Sequence, residues 1–311
     1  MFKWLSIFLI VIFVFSGSYE AKALSVSAQA AILIDSQTGK VLYEKNADKI
    51  LPMASTTKIM TALCTLENIN SNIPITVDSA AVGVEGSSIY LDYGERITIK
   101  ELLYGMLLNS GNDAATALAI AVAGSVEEFS KIMNRTAARL GADSTNFANP
   151  SGLFDENHYT TARDLAKITA YAIKNPLIKA IVSTKEIKIS NGKKGGGRYL
   201  KNHNKLLWQY EGCTGVKTGY TKKCGRCLVS SAKRGNESLV AVTLNAPDDW
   251  RDHSALFDYG FSELTPAEAA PQTNVIKSHE AKNASALKGE ITSSALLWQR
   301  LKNNLICFFG K

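Results

Sequence analysis

The sequence predicts a mixed α/β protein in which strands from both ends of the chain build one sheet and a helical domain is inserted between them. Three observations predict it. Two β-rich runs stand near the start, Ala30 to Asp35 and Lys40 to Lys45. Strand character returns only after Lys185. Between them the apolar residues recur at helical spacing.

The first residues set the compartment. Lys3 precedes the apolar run Trp4 to Phe15, and Ala21-Lys22-Ala23 follows. This pattern reads as a signal peptide over residues 1–23, cleaved before Leu24. The run falls short of the roughly 20 residues that span a bilayer; an uncleaved anchor is the alternative. Either way the rest of the chain is expected outside the cytoplasm.

Ser36-Gln37-Thr38-Gly39 joins the first two strands as a hairpin. Pro52 precedes a helix from Ser55 to Glu67, whose Ile59, Met60, Leu63 and Leu66 form one apolar face. Glu101 to Leu108 is a second helix, broken at Asn109-Ser110-Gly111-Asn112. An alanine-rich helix resumes from Asp113 to Ala123, and Val126 to Leu140 is another, closed by Gly141. Thr161-Ala162-Arg163-Asp164 reads as a capping box opening a helix that stops at Asn175-Pro176. The glycine-rich residues 191–197 turn the strand Lys185 to Ser190 back. Arg226 to Ala232 and Ser238 to Asn245 flank the turn Gly235-Asn236. Asp248 to Tyr259 is the last helix of the domain.

These elements give a domain over 24–261, with its α/β part at 24–54 and about 185–261 and its helical part at about 55–184. Ala, Glu, Lys, Thr and Ser then mark a linker over 262–290. In 291–311, Ile291, Leu297, Leu301, Leu305 and Phe308 recur at helical spacing beside Arg300 and Lys302. Such a basic amphipathic helix lies in a membrane interface or packs on the domain's own surface.

Composition narrows the function classes. Of the 311 residues 46% are hydrophobic and 20% charged, enough to bury a full core. The formal net charge is +7, but the basic residues are spread rather than clustered, which argues against nucleic acid and suits an anionic cell envelope. Cys224-Gly225-Arg226-Cys227 lacks the βαβ setting of a redox motif. Zinc would need further ligands at short spacing, and the four histidines, at 158, 203, 253 and 279, are scattered. With Cys64, Cys213 and Cys307 the cysteine count is odd, so at least one thiol stays unpaired. Buried strand cysteines with at most one disulfide are expected.

Three short motifs carry chemistry. Ser55-Thr56-Thr57-Lys58 is an S-x-x-K. The same pattern begins at Ser190, Ser230 and Ser285, but only Ser55 opens a strongly patterned helix, with Lys58 one turn on and able to take its proton. Ser110-Gly111-Asn112 is an S-x-N in a break between helices, able to project a hydroxyl and an amide into a cleft; Ser144-Thr145-Asn146 matches too, and Asn112 would also serve as a helix cap. Lys217-Thr218-Gly219 occurs once, on a strand, where lysine and threonine can bind a carboxylate and glycine admits a substrate backbone.

In this order and at these separations the three motifs resemble those of the penicillin-binding proteins and serine β-lactamases. The stretches Pro52 to Thr61, Ser110 to Ala115, Asn149-Pro150-Ser151-Gly152-Leu153 and Lys217 to Thr221 resemble the low-molecular-weight D-alanyl-D-alanine carboxypeptidases, from about Ala30 to Phe261. The resemblance implies a β-lactamase/transpeptidase-like fold, with a mainly antiparallel sheet flanked by helices and an all-helical insertion. The implied substrate is a peptidoglycan stem peptide ending in D-Ala-D-Ala, with β-lactams as covalent inhibitors and no metal or cofactor. It also implies roles. Ser55 is the nucleophile, Lys58 the base and Ser110 a proton relay. Asn112 positions the peptide and Lys58, Lys217 and Thr218 hold the terminal carboxylate, and the N–H groups of Ser55 and Tyr220 form the oxyanion hole. Lys58 must then be neutral, at roughly 4.6 kcal/mol from an unperturbed lysine at pH 7, a figure that burial and the second cation Lys217 reduce.

Two features depart from that family. Only 50 residues follow Phe261, too few for the β-rich domain plus anchor helix that many members carry. Cys213, Cys224 and Cys227 crowd the K-T-G segment. A β-lactamase is the nearest rival, but its E-x-x-L-N context is absent; Glu156 stands in Asp155-Glu156-Asn157-His158. A non-catalytic penicillin-binding sensor should carry a spanning helix coupled to a cytoplasmic domain, and none is evident; a pure peptidoglycan-binding module would not need a serine and lysine one turn apart. Endopeptidase action would use the same residues.

Overall fold

A computed structural model describes residues 24–190 and 195–264. The expected signal peptide, nearly all of the expected linker, the segment 291–311 expected to be an amphipathic helix, His279 and Cys307 therefore lie outside the described residues.

The main sheet has five antiparallel strands. They are β1 (Ala30–Asp35), β2 (Val41–Lys45), β7 (Cys213–Thr221), β8 (Gly225–Arg234) and β9 (Glu237–Leu244), in the order β2-β1-β9-β8-β7. The N-terminal hairpin thus pairs with the C-terminal one across β1 and β9, from Ala30 opposite Leu244 to Asp35 opposite Leu239. Strand alternation then feeds two cores. Ala30, Ile32, Ile34, Val240 and Val242 face one cluster; Ala31, Leu33, Leu239 and Ala241 face the other. With both faces covered, β1 is an unbroken apolar run rather than an alternating one.

The helices follow in chain order: α1 (Lys58–Asn68), α2 (Ile99–Leu108), α3 (Asn112–Ala123), α4 (Val126–Arg139), α5 (Ala162–Ala172), α6 (Pro176–Ser183), α7 (Leu206–Gln209) and α8 (Asp249–Leu264). The larger core lies between the sheet and helices α1 to α6, and α5 packs on β1 and β9. Helix α8 covers the opposite face through Leu256, Phe257 and Phe261, and continues to Leu264, past the expected end at Tyr259. Two small ribbons stand apart, β3 (Pro74–Thr76) with β4 (Arg96–Thr98) and β5 (Glu186–Ile189) with β6 (Arg198–Lys201).

The box expected at Thr161 is half formed. Thr161 Oγ1 accepts the Asp164 N–H at 3.0 Å, but the Asp164 carboxylate turns to the Ser144 N–H and the Thr145 hydroxyl. The reciprocal box lies at Thr98 and Glu101, where the longer glutamate reaches back to the Thr98 N–H. Cys64, Cys213, Cys224 and Cys227 are all free thiols. Cys213 and Cys227 sit in strands, Cys224 in the turn between them and Cys64 in α1.

Candidate active site

Ser55 lies in a 3₁₀ turn, Ala54–Thr57, and α1 begins only at Lys58. The sequence suggested an α-helix from Ser55. The tighter turn brings residues three apart into register, so Ser55 and Lys58 come closer to eclipsing than α-geometry allows. Lys58 Nζ is 2.9 Å from Ser55 Oγ. It also donates to Asn112 Oδ1 at 2.7 Å and to the carbonyl of Ser151. Three oxygens thus surround the amine, the Ser55 hydroxyl among them.

Lys58 is fully buried, and Lys217 is 1% exposed. Burial first, and the Lys217 charge second, hold Lys58 well below the ordinary lysine range. Burial brings Lys217 down to about 7. Of the described groups, the Lys217 amine bonds only its neighbour's carbonyl, Thr218 O, at 2.9 Å.

The S-x-N break follows α2. Ser110 takes a left-handed backbone, φ +62°, which no β-branched residue would tolerate well. Gly111, not Asn112, caps α3. Asn112 is instead the first helical residue, and its amide bridges Lys58 and the Glu85 carbonyl, the latter at 2.6 Å.

The K-T-G triplet lies on β7, the edge strand. A Cβ on Gly219 would stand 3.0 Å from Ser55 N, 3.1 Å from Ala54 Cβ and 3.2 Å from Met53 O. The approach of β7 to the nucleophile's own turn is by itself a reason for glycine here. Ser55, Ser110, Thr218, Gly219 and Tyr220 line one cavity of about 320 Å³, together with Ser87, His203, Lys205, Arg226, Asp249 and Trp250. The eight residues singled out from sequence thus fall in one region, with Lys58 and Asn112 joined to it by hydrogen bonds.

Several supporting groups had no role assigned to them from the sequence. The Asn149 side chain accepts from the Ser151 and Gly152 N–H groups, at 3.2 and 2.8 Å, and so fixes the carbonyl that meets Lys58. Gly152 has φ +83°, and a Cβ there would stand 2.0 Å from Ala54 O. His158 Nδ1 accepts the Ala148 N–H at 3.0 Å, which leaves Nε2–H to donate to Thr57 Oγ1 at 2.7 Å. Thr57 in turn donates to Ala54 O at 2.7 Å. The residue preceding the nucleophile is thus tied to a buried histidine. Arg226 projects into the cavity, paired with Asp249 at 2.7 Å and set over the Trp250 ring. Among the described residues no His, Cys, Asp or Glu side chains cluster as a metal site.

An antiparallel sheet backed by helices, with a serine–lysine pair in a cleft against its edge strand, defines a serine acyl-transfer enzyme of the penicillin-binding type. The crystal structure of the Streptomyces K15 DD-transpeptidase superposes with a TM-score of 0.72 at 35% identity, covering 76% of this chain and 98% of that one. An evolved penicillin-binding protein homologue from Mycobacterium tuberculosis superposes at 0.74 with 32% identity, over 80% and 98%. The family model for D-alanyl-D-alanine carboxypeptidases matches residues 18–248, and the chain belongs to that family. Among curated relatives, the carboxypeptidase DacF of Bacillus subtilis is 36% identical over 281 residues, 87% of this chain and 72% of that protein.

Proposed function

We propose that the protein is a serine D-alanyl-D-alanine carboxypeptidase that removes the terminal D-Ala from peptidoglycan stem peptides through an acyl-enzyme on Ser55. The contact of Lys58 Nζ with Ser55 Oγ, inside a site whose burial holds the amine well below the ordinary lysine range, carries the reading.

In this mechanism Ser55 Oγ attacks the penultimate D-Ala carbonyl and Lys58 takes the hydroxyl proton. Backbone N–H groups of Ser55 and Tyr220 meet the developing oxyanion, each worth about 3 kcal/mol. The C–N bond breaks, Ser110 passes a proton to the leaving amine, and D-Ala departs. Water then adds to the ester and frees Ser55. Lys217 and Thr218 hold the terminal carboxylate, and Asn112 orients Lys58 and the peptide. β-Lactams acylate the same hydroxyl.

Peptidoglycan lies outside the cytoplasm, and the enzyme acts there, secreted or held at the outer membrane face by the basic segment 291–311. No described helix is long and apolar enough to cross a membrane.

The test is D-Ala release from a D-Ala-D-Ala peptide, with Ser55→Ala as the control. Slow loss of a penicilloyl adduct is expected; fast turnover of penicillin would mark a β-lactamase instead. No release by the wild-type protein would refute the assignment.

A further inference from the structure

One strained residue beside the cleft has no part in the mechanism above. Residues 85–91 run from the cleft wall to the surface. Glu85 O accepts from Asn112, and Ser87 lines the cavity. Three residues on, Tyr90 has φ +59°, a left-handed backbone that an aromatic residue adopts only under constraint.

The constraint comes from two buried side chains. The Asp113 carboxylate accepts the N–H groups of Ile89 and Leu91, each at 3.1 Å, and the Ser88 hydroxyl at 2.6 Å. Ser88 Oγ accepts the Tyr90 N–H at 2.9 Å. Arg198 donates to the carbonyls of Ile89 at 2.7 Å and Tyr90 at 2.9 Å, and is itself locked to both oxygens of Glu95, at 2.6 and 2.7 Å. Every backbone polar group of Ile89 and Tyr90 is therefore held. The Tyr90 side chain, by contrast, is exposed and meets no partner among the described residues, with 80% of the residue in solvent. A buried ion pair adds little net stability, but it fixes a geometry. Here the geometry it fixes is a bare ring three residues along the chain from Ser87, which lines the cavity.

We infer that Tyr90 is a specificity-determining residue: its ring packs on the stem peptide upstream of the penultimate D-Ala. The inference rests on the carboxypeptidase reading. In that reading the terminal carboxylate is bound on β7, whereas residues 85–91 are anchored to Asn112 and Asp113 at the start of α3, so the part of the substrate left to meet Tyr90 is the acyl side. From Ser87 to Tyr90 the backbone spans at most about 10 Å, or three extended residues. Within that distance of the cavity lie the third stem residue and its γ-linked neighbour rather than the glycan, and these are the residues we assign to the ring. A ring already fixed in place gives up little entropy on contact.

The experiment compares kcat/KM for D-Ala release from L-Ala-γ-D-Glu-L-Lys-D-Ala-D-Ala and from acetyl-D-Ala-D-Ala. The proteins are the wild type, Tyr90→Ala, Tyr90→Phe and Tyr90→Gly. Tyr90→Ala is expected to lose about fivefold on the pentapeptide, mainly through KM, the size of one aromatic contact. It should keep wild-type rates on the short peptide. Tyr90→Phe should behave as wild type on both. Tyr90→Gly should lose the same preference while holding or raising Tm, since glycine relieves the strain. An unchanged pentapeptide preference in Tyr90→Ala overturns the inference. So do equal losses on both peptides, or a loss in Tyr90→Phe matching that of Tyr90→Ala. Wild-type protein releasing D-Ala from neither peptide defeats the carboxypeptidase reading itself.

Discussion

Lys58 and Lys217 are both buried beside one cleft, and after burial itself the charge of Lys217 pushes the Lys58 amine further below the ordinary lysine range. The pair divides two tasks by protonation state. Lys58 works without its proton, while Lys217 binds a carboxylate only with it. Acylation by penicillin should therefore be bell-shaped in pH, with a descending limb near 7 from Lys217. Removing the neighbouring cation favours the protonated form of Lys58. In Lys217→Gln the ascending limb should accordingly move to higher pH, as measured by stopped-flow acylation. An ascending limb that stays where it was would break the proposed coupling.

Lys58→Arg tests the base directly. Arginine keeps the charge and roughly the length but does not deprotonate, and its planar fork cannot replace three converging contacts around one nitrogen. The acylation rate should fall about 10³-fold, in the range of a lost general base. Intact-protein mass spectrometry after brief exposure to penicillin reads the adduct. Normal acylation of this variant would remove Lys58 from the role.

Gly219→Ala should separate catalysis from folding. The added methyl meets the Ser55 turn at 3.0 to 3.2 Å, tight but not prohibitive, on an edge strand that can give way. We expect acylation to fall at least about tenfold as β7 shifts from Ser55, with less than about 1.5 kcal/mol lost in denaturant unfolding. Gly152→Ala should be far worse for folding, because its methyl would meet a backbone carbonyl at 2.0 Å with φ at +83°. Similar stability losses in the two variants would count against this reading of β7.

What sequence showed and what it hid divide along contact range. Ser55 and Lys58 sit three residues apart, so local periodicity placed them together, although the α-helix proper begins at Lys58 and Ser55 lies in the 3₁₀ turn before it. The strands of β8 and β9 carried their own turn signal at Gly235. The three-residue strands β3 and β4 did not, because they are too short to show a period. The carbonyl of Ser151 meets Lys58 across 93 residues, and Arg198 meets Glu95 across 103. Backbone acceptors have no residue signature, and a lone arginine and glutamate read as surface charges until the fold buries them. Asn149 to Leu153 stood out only by family resemblance; its physical reason is the contact of Gly152 with Ala54 O.

The buried Arg198–Glu95 pair predicts an asymmetric cost. Arg198→Met would leave Glu95 fully buried without its cation and free two carbonyls of the Tyr90 segment. A stability loss of about 3 to 5 kcal/mol is expected. The double variant with Glu95→Leu should recover a good part of it, since no charge is then stranded. Chemical denaturation of the single and double variants measures the difference, and a double variant as unstable as the single one would show that the loss lies in the carbonyls instead.

His158 gives the fold a dependence on pH that is separate from catalysis. Burial, against the opposing pull of the Asp155 carboxylate, depresses its pKa from 6.5 to about 4. Its hydrogen bonds also demand the neutral ring, since Nδ1 accepts from Ala148. In the unfolded chain the ring takes a proton near pH 6.5; in the folded one it stays neutral until about 4. Between these values the unfolded state binds one more proton, so stability falls as pH falls, by about 3 kcal/mol over the window. His253, buried against Ser230 and Thr243 and depressed to about 3, adds a second such term that extends to lower pH. His158→Gln should start less stable at pH 7, because the Thr57 and Ala148 contacts are disturbed. Its slope between pH 6.5 and 4 should nonetheless be shallower than that of the wild type by about one proton. Unfolding free energies collected across that range supply both slopes, and equal slopes would mean that His158 already titrates normally in the folded protein.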